Sequence, residues 1–262
     1  EMRVNFSPTI AEVGRFRFNL YLARGTVGAT IRVIPTKTYP LSSLGLPPVV
    51  GNLAHKRSGI IFVTGSTGSG KSTTMAAMLE WINQTGRPGK VITIEDPIET
   101  LFKPCRSIFV QREVGVDTDD WGAALKNTLR QAPDVIMMGE IRDTATMEYA
   151  IQFAETGHLC LATLHANSAH QALDRIVNFF PEERHEQLLM DLSLNLRAMI
   201  SQRLVPRKES KGRAAAIEIL LNSPLVSEKI FAGEVAEIKE IMKRSRELGM
   251  QTFDQHLFEL YD

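Results

Sequence analysis

The chain has 262 residues, 44 % of them apolar, and 30 basic side chains balance 30 acidic ones. This length and apolar content suit one large domain, or one domain with part of a second. The balanced charge gives no overall basic field that would draw the chain to nucleic acid or anionic lipid, although it does not exclude a local basic patch. Two cysteines without a metal-binding spacing, and no apolar run near the roughly 20 residues that span a bilayer, predict a cytoplasmic protein without a signal peptide.

The N-terminal segment predicts a β-hairpin. Strand-like runs at Arg15–Tyr21 and Gly28–Val33 flank Arg24 and Gly25, a pair typical of a turn. A Pro- and Ser-rich stretch follows and predicts a connector between two domains. Because the sequence starts without Met and within the pattern of the first domain, we expect part of that domain to lie upstream. The predicted division is the end of an N-terminal domain over 1–34, a linker over 35–50 and a second domain over 51–262.

Alternating strands and helices predict an α/β fold for the second domain. Short β-branched runs recur, and helical periods separate several of them, one with a predicted cap at Asp143 and a stop at Gly157. Such alternation predicts a largely parallel sheet with helices on both faces. Beyond Ala166 an apolar stripe predicts a helical tail. The predicted strands are Ile60–Thr64, Val91–Glu95, Ile108–Gln111, Val135–Met138 and Leu159–Leu164, and the stripe comprises Leu188, Leu189, Leu192, Leu196, Met199 and Ile200.

A complete phosphate-binding loop follows the first of these strands. The segment Gly65–Ser72 matches G-x-x-x-x-G-K-[ST] and opens a helical run, which is the context that the motif requires. Its glycines let backbone N–H groups curl around phosphate oxygens, Lys71 supplies a charge to the β- and γ-phosphates, and Ser72 offers a hydroxyl to Mg²⁺. The alternative is a Gly-rich turn that matches by chance. The residues predicted to bind ATP or ADP are Gly65, Ser66, Thr67, Gly68, Ser69, Gly70, Lys71, Ser72 and Thr73.

Acidic residues follow two of the predicted strands. The apolar run that begins at Val135 ends in the carboxylate of Glu140, and in a P-loop enzyme an acid at this place faces Mg²⁺ and the attacking water. Gly139 stands where many such enzymes have Asp, so Glu140 has to act alone or through water. The segment Glu95–Glu99 lies at the carboxyl end of another strand, where one carboxylate could orient or deprotonate water. The alternatives are a helix-capping or solvated Glu140 and a surface acidic turn.

Histidines and arginines supply further candidates. His158 and His165 bracket a predicted strand, and a histidine at that edge could donate to a γ-phosphate and report its presence. A core or capping histidine is the alternative, and the spacing of the two fits no zinc site. Several arginines, among them Arg17 and Arg32, lie on the hairpin. They predict either a solvated face or an arginine finger for a neighbouring subunit.

The order of these segments resembles the type II/IV secretion ATPases. The P-loop, the acidic segment, Gly139–Arg142 and Thr163–His165 occur in the order seen in that family. The resemblance is strongest to its retraction branch, PilT and PilU, and covers nearly the whole chain. It implies a PAS-like N-terminal domain, a RecA-like ATPase core and a helical tail, assembled as hexameric rings at the cytoplasmic base of the pilus machine. The stretches that resemble the retraction branch are 111–115, 129–134, 154–158 and 248–254.

Within that branch the chain is more similar to PilU. The stretch Val226–Glu234 stands where ATPases of the PilT type carry an Ala-Ile-Arg-Asn-Leu-Ile-Arg-Glu helix, a difference that bears on independent retraction. No cysteine follows Leu204, where the related assembly ATPases carry a four-cysteine zinc insert. The resemblance therefore implies neither zinc nor a role in pilus extension or secretion.

The resemblance also assigns roles. It implies that Glu99 activates water, that Glu140 and Ser72 lie on the Mg²⁺ side, and that His165 senses the γ-phosphate. Arg17 and Arg32 would act across a subunit boundary.

The implied activity is Mg²⁺-dependent ATP hydrolysis that powers or assists type IV pilus retraction in twitching motility. The implied partners are further copies of the chain, a pilus inner-membrane platform protein and a second retraction ATPase, at the inner face of the bacterial inner membrane. No nucleic acid is implied. The alternatives are a nucleotide-binding ring with a scaffolding role, a nucleic-acid translocase, and a pilus extension or secretion ATPase.

Overall fold

The computed structural model describes residues 4–10, 13–208 and 212–261. Its strands are β1 (Val4–Phe6), β2 (Thr9–Ile10), β3 (Gly14–Ala23), β4 (Thr26–Ile34), β5 (Gly59–Thr64), β6 (Gly89–Glu95), β7 (Ser107–Glu113), β8 (Val135–Met138), β9 (Leu159–Leu164), β10 (Leu196–Pro206) and β11 (Arg213–Leu221). Its helices are α1 (Val49–Ala54), α2 (Lys71–Thr85), α3 (Trp121–Thr128), α4 (Thr144–Glu155), α5 (Ala169–Val177), α6 (His185–Asn195), α7 (Pro224–Phe231), α8 (Ile238–Arg244) and α9 (Phe253–Tyr261). None of these helices is long and apolar enough to cross a membrane.

The predicted N-terminal hairpin forms. β3 and β4 pair antiparallel around a turn at Arg24 and Gly25, whose φ angles of 52° and 77° belong to the left-handed region. β1 and β2 pair with β3, so that these strands make one small sheet. Arg17 lies directly opposite Arg32 in the register. Residues that face each other across a strand pair share one side of the sheet, so both arginines lie on the same side.

A second, larger sheet confirms the predicted α/β fold. Within the described residues its strand order is β11-β10-β5-β9-β8-β6-β7. Every neighbouring pair is parallel except β10 and β11. Every residue of β5, β8 and β9 is buried, which explains their unbroken apolar sequences. Because neighbouring parallel strands have their carboxyl ends at the same edge of the sheet, the loops after β5, β6, β8 and β9 meet at that edge.

The predicted helical tail is wrong at its centre. α6 ends at Asn195, and Leu196, Met199 and Ile200, which the apolar stripe places on a helix, belong to strand β10. Met199 packs into the hydrophobic cluster on one face of the sheet, whereas Ala198 and Ile200 pack into the cluster on the other. A strand buried on both faces is apolar throughout, and over such a run periodicity does not distinguish a strand from a buried helix. The helical prediction holds again from α7 onwards.

Helix α4 begins and ends as predicted. The Asp143 carboxylate accepts the Thr146 backbone N–H at 2.9 Å, and the Thr146 hydroxyl accepts the Asp143 N–H at 3.3 Å. Gly157 follows the helix with φ 89°. The same hydroxyl accepts the backbone N–H of Arg142 at 3.2 Å. This capping box therefore fixes the short loop between β8 and α4, which carries two residues of the site.

Candidate active site

The P-loop joins β5 to α2 in a shape that requires glycine. Gly65, Gly68 and Gly70 have φ angles of 151°, 77° and 93°. A Cβ atom at Gly65 would lie 2.4 Å from Ser69 Oγ and 2.5 Å from the Gln202 carbonyl oxygen. α2 begins at Lys71, within the P-loop motif, and its first backbone N–H groups have no partner within the helix. The result is a cradle of N–H groups at a helix N-terminus, which suits phosphate.

Lys71 lies inside this cradle. Its ammonium donates hydrogen bonds to the carbonyl oxygens of Gly65 and Ser66, at 2.8 and 2.9 Å. Burial lowers the pKa of Lys71, while the charges of Glu140 and Glu99 act to raise it. A cation placed within the loop can neutralise charge on the β- and γ-phosphates of a bound nucleotide.

Strand β10 holds the residues on either side of the P-loop through hydrogen bonds. The Thr74 hydroxyl in α2 donates to Gln202 Oε1 at 2.7 Å, and the Thr64 hydroxyl donates to Ser201 Oγ at 2.8 Å. Gln202 is buried, and a Cβ atom at Gly70 would lie 2.6 Å from its Nε2 atom. Sequence reasoning missed this contribution because it placed the region on a helix. The signal in the sequence is a pair of polar residues, Ser201 and Gln202, that interrupts an apolar run.

One cleft collects most of the predicted site residues. It has a volume of about 540 Å³ and is lined by the P-loop, by the loops after β6, β8 and β9, and by the N-terminal hairpin. The predicted residues that line it are Thr67, Gly68, Gly70, Lys71, Ser72, Thr73, Glu99, Glu140, His165 and Arg32. The predicted residues outside its lining are Gly65, Ser66, Ser69 and Arg17. The strand ends thus bring together residues that are far apart in the sequence.

Glu140 is the centre of an ionic network. Its carboxylate accepts from Arg142 Nε at 3.0 Å and lies 3.2 Å from His165 Nε2. Arg142 also reaches Asp96 Oδ2 at 3.1 Å, so it joins the acid after β8 to the acidic loop after β6. Sequence reasoning did not single out Arg142. An arginine two positions after Glu140, at an edge rich in acids, is the signal that could have revealed it.

His165 connects Glu140 to the end of β9. The contact is one of distance and charge: His165 Nε2 lies 3.2 Å from Glu140 Oε1. Burial lowers the pKa of His165, and the Lys71 charge lowers it further, whereas Glu140 acts to raise it. The neutral imidazole is therefore favoured at neutral pH, next to an acid that lines the cleft.

The structure explains why glycine occupies position 139. A Cβ atom there would lie 3.2 Å from the Ile94 carbonyl oxygen and 3.3 Å from Glu95 Cα. Both are backbone atoms of the neighbouring strand, which cannot move as a side chain can. An aspartate at this place would push against β6, so Glu140 is left as the carboxylate at the end of β8.

The acidic segment has one buried carboxylate, Glu95, and two exposed ones, Asp96 and Glu99. Glu95 is buried and accepts hydrogen bonds from the Thr93 hydroxyl at 2.7 Å, from Gln111 Nε2 at 3.3 Å and from the Glu99 backbone N–H at 3.4 Å. Burial raises the pKa of Glu95. Glu99 is exposed and lines the cleft. Glu95 therefore holds the loop, whereas Glu99 presents its carboxylate to the cleft.

The hairpin arginines lie close to the cleft of their own chain. Arg32 is exposed and lines the cleft, and Arg17 is its partner across β3 and β4. The action of either arginine on a neighbouring subunit stays a prediction.

Comparison with known proteins places this chain in a family. The family model described as Type II/IV secretion system protein matches residues 20–255. The type IV pilus ATPase PilU of Pseudomonas aeruginosa is 54 % identical over 98 % of this chain and 67 % of its own length. The type IV pilus retraction ATPase PilT of the same organism is 40 % identical over 98 % of this chain and 74 % of its own. The crystal structure of the pilus retraction motor PilT with bound ADP matches with a TM-score of 0.92 and 45 % identity, over 99 % of this chain and 73 % of that one.

The chain belongs to the PilT/PilU branch of the type II/IV secretion ATPases. This membership confirms the resemblance seen in the sequence, the RecA-like fold and the prediction of an ATPase. The ADP bound to the related PilT structure supports the prediction of a nucleotide ligand.

Proposed function

We propose that this chain hydrolyses ATP with Mg²⁺ as part of a hexameric ring that powers or assists type IV pilus retraction. One observation carries the proposal: a complete P-loop shares its cleft with Glu99, Glu140 and His165, in a chain that is 54 % identical to PilU. The divisions 1–34, 35–50 and 51–262 remain the proposed domains.

The cleft supports a specific division of roles. Lys71 and the N–H groups of the P-loop hold the β- and γ-phosphates, and Glu99 accepts the proton of the attacking water. Ser72 and Glu140 both line the cleft and offer a hydroxyl and a carboxylate, the oxygen ligands that Mg²⁺ prefers. A metal ion bound by these two residues would supply positive charge to offset the charge developing on the phosphates. His165 lies 3.2 Å from Glu140 and so relays a change at the acid to strand β9.

The partners and location follow from the same branch. We infer a homo-oligomeric ring that works with the inner-membrane platform protein of the pilus and beside a second retraction ATPase, at the cytoplasmic face of the inner membrane. The higher identity to PilU than to PilT, 54 % against 40 %, favours an assisting role.

Shared sites are part of the proposal, with Arg17 and Arg32 serving the cleft of a neighbouring copy. The test mixes Lys71→Ala subunits, which keep both arginines, with Arg17→Ala/Arg32→Ala subunits, which keep the P-loop. Mixed rings should recover part of the activity that each variant lacks, because an arginine finger is worth about 10³–10⁵ in rate. Failure to recover, in rings shown to be mixed by native mass spectrometry, would mean that the arginines act within their own chain or only hold the ring together.

Pilus retraction itself is tested in the source bacterium. Replacing the gene by its Lys71→Ala form should reduce the frequency or force of retraction, measured by microscopy of labelled pili. Lys126→Ala, an exposed lysine in α3, is the matched control and should leave retraction unchanged. Parental retraction in Lys71→Ala cells would show that hydrolysis by this chain does not contribute to retraction, and would favour a scaffolding role.

A further inference from the structure

Glu113, at the end of β7, binds three separate segments of the chain. Its Oε1 atom accepts the Ser7 hydroxyl at 2.7 Å. Its Oε2 atom accepts Arg15 Nη2 at 3.0 Å and the backbone N–H of Ile98 at 3.3 Å. Arg15 lies on β3 of the N-terminal sheet and Ser7 lies between β1 and β2 of that sheet, whereas Ile98 belongs to the acidic loop after β6. One buried carboxylate therefore joins the N-terminal sheet to the loop that carries Glu99.

The ion pair within this junction is sheltered from water. The side chains of Arg15 and Glu113 are 15 % and 6 % exposed, whereas those of Arg184 and Glu148, a surface pair, are 50 % and 44 % exposed. An exposed pair contributes little to stability because water screens it, but a buried pair that loses one partner leaves an uncompensated charge. The Arg15–Glu113 contact therefore restrains the two segments much more firmly than a surface pair would.

On the hairpin side, the junction fixes the position of Arg32. Arg15 lies two residues before Arg17 on β3, so both point to the same side of the sheet. Its register partner, Ile34, lies two residues after Arg32 on β4. The side of the hairpin that Arg15 attaches to Glu113 is thus the side that presents Arg32 to the cleft.

On the loop side, β7 holds the acidic segment at several points. Ile98, bonded to Glu113, directly precedes Glu99. Gln111, on the same side of β7, accepts the Phe102 N–H at 2.9 Å and donates to the Thr100 carbonyl oxygen at 2.8 Å. The Leu101 N–H donates to the Pro35 carbonyl oxygen at 3.1 Å, which adds a contact to the linker.

We propose that Glu113 is a positioning residue that couples the N-terminal hairpin to the Glu99 loop, so that Arg32 and Glu99 move into or out of place together. The contacts that make this coupling do not depend on the proposed hydrolysis. Only its expected effect on turnover rests on that proposal. The P-loop is held by β5 and β10 and has no bond to Glu113 among the described residues. Breaking the junction should therefore lower kcat and leave KM for ATP nearly unchanged.

The first test needs no turnover. In the full-length protein, Arg15→Met removes the ion pair from the hairpin side without touching the acidic loop. Amide hydrogen exchange in 96–102 should nevertheless rise in Arg15→Met, as it does in Glu113→Gln, by about tenfold or more over parent. Glu148→Gln, which breaks the exposed pair with Arg184, is the matched control and should leave exchange in that loop at the parental rate. Unchanged exchange in Arg15→Met would overturn the coupling.

The second test is a kinetic cycle. Glu113→Gln should lower kcat about tenfold or more with KM within about threefold of parent, and Arg32→Ala should have a smaller effect in the Glu113→Gln background than in the parent. If Glu113 were only structural, Glu113→Gln would lower the melting temperature, but the kcat losses of Glu113→Gln and Arg32→Ala would multiply in the double variant. Multiplicative effects, or a Glu113→Gln kcat within twofold of Glu148→Gln, would refute the proposal. A parent protein without turnover would instead refute the proposed function, and the exchange experiment would still decide the coupling.

Discussion

Replacing Glu99 with glutamine should stop hydrolysis while leaving the fold and the nucleotide cleft in place. Glu99 is exposed at the cleft, and in the part of the chain that the structure describes no hydrogen bond or ion pair holds its carboxylate. A surface substitution of this kind changes the free energy of unfolding by less than about 0.5 kcal/mol. Losing a positioned base costs about 10²–10⁴ in rate. At about 1.36 kcal/mol for each factor of ten, that loss is about 2.7–5.4 kcal/mol of activation free energy.

The expected behaviour of Glu140→Gln differs because its carboxylate has partners. It loses its charge interaction with Arg142 and its close contact with the His165 imidazole, side chains that are 45 % and 37 % exposed. Half-exposed pairs of this kind contribute about 0–1 kcal/mol to stability. Glu140→Gln should therefore stop turnover with a slightly lower melting temperature and a shifted Mg²⁺ requirement, whereas Glu99→Gln should bind MgATP normally and retain it.

The assay compares steady-state hydrolysis, nucleotide retention and melting temperature across Mg²⁺ concentrations. Glu155→Gln, at the exposed end of α4, is the matched control for loss of a surface carboxylate. More than about a tenth of the parental rate in Glu99→Gln would refute its role as the base. Rescue of Glu99→Gln but not of Glu140→Gln by added Mg²⁺ would show that the two roles are reversed.

Three further predictions concern the surroundings of the site. Thiol reagents should titrate Cys105 alone in the native protein, because burial raises the pKa of Cys160 to about 12 and suppresses its thiolate; two reactive thiols before unfolding would contradict this. Burial lowers the pKa of His165, so as the pH falls below the ordinary value of 6.5 the unfolded chain takes up a proton at this residue more readily than the folded protein does. The free energy of unfolding therefore decreases as the pH falls below 6.5. The parent should thus lose melting temperature more steeply than His165→Gln between about pH 7 and pH 5, and equal slopes would exclude a titrating His165. Gly139→Ala places a Cβ atom 3.2 Å from the Ile94 carbonyl oxygen and should cost about 1–3 kcal/mol of stability, measured by denaturant unfolding; an unchanged midpoint would refute the crowding.

Most of the site residues predicted from the sequence line one cleft. The P-loop is one continuous segment, so its residues and its strand–helix context are visible together. Glu99, Glu140 and His165 follow three different strands, and parallel strands deliver their carboxyl ends to one edge. The family comparison then confirmed the fold that this alternation predicts.

The parts that the sequence could not give depend on register and on contacts between distant segments. The pairing of Arg17 with Arg32 follows from a two-residue turn whose length the sequence alone does not determine. Glu113 and Arg15 are 98 positions apart, and nothing local to either residue indicates the other. β10 was missed because a strand buried on both faces carries no alternation.

The most direct test of the central claim is steady-state MgATP hydrolysis by the full-length protein and its Lys71→Ala variant. Lys71 is the cation inside the phosphate cradle, where it is bonded to two loop carbonyl oxygens. The parent should hydrolyse ATP, and a folded Lys71→Ala protein that melts at a similar temperature without nucleotide should show no measurable turnover. Hydrolysis that persists in a clean Lys71→Ala preparation would contradict the assignment of this cleft as the active site.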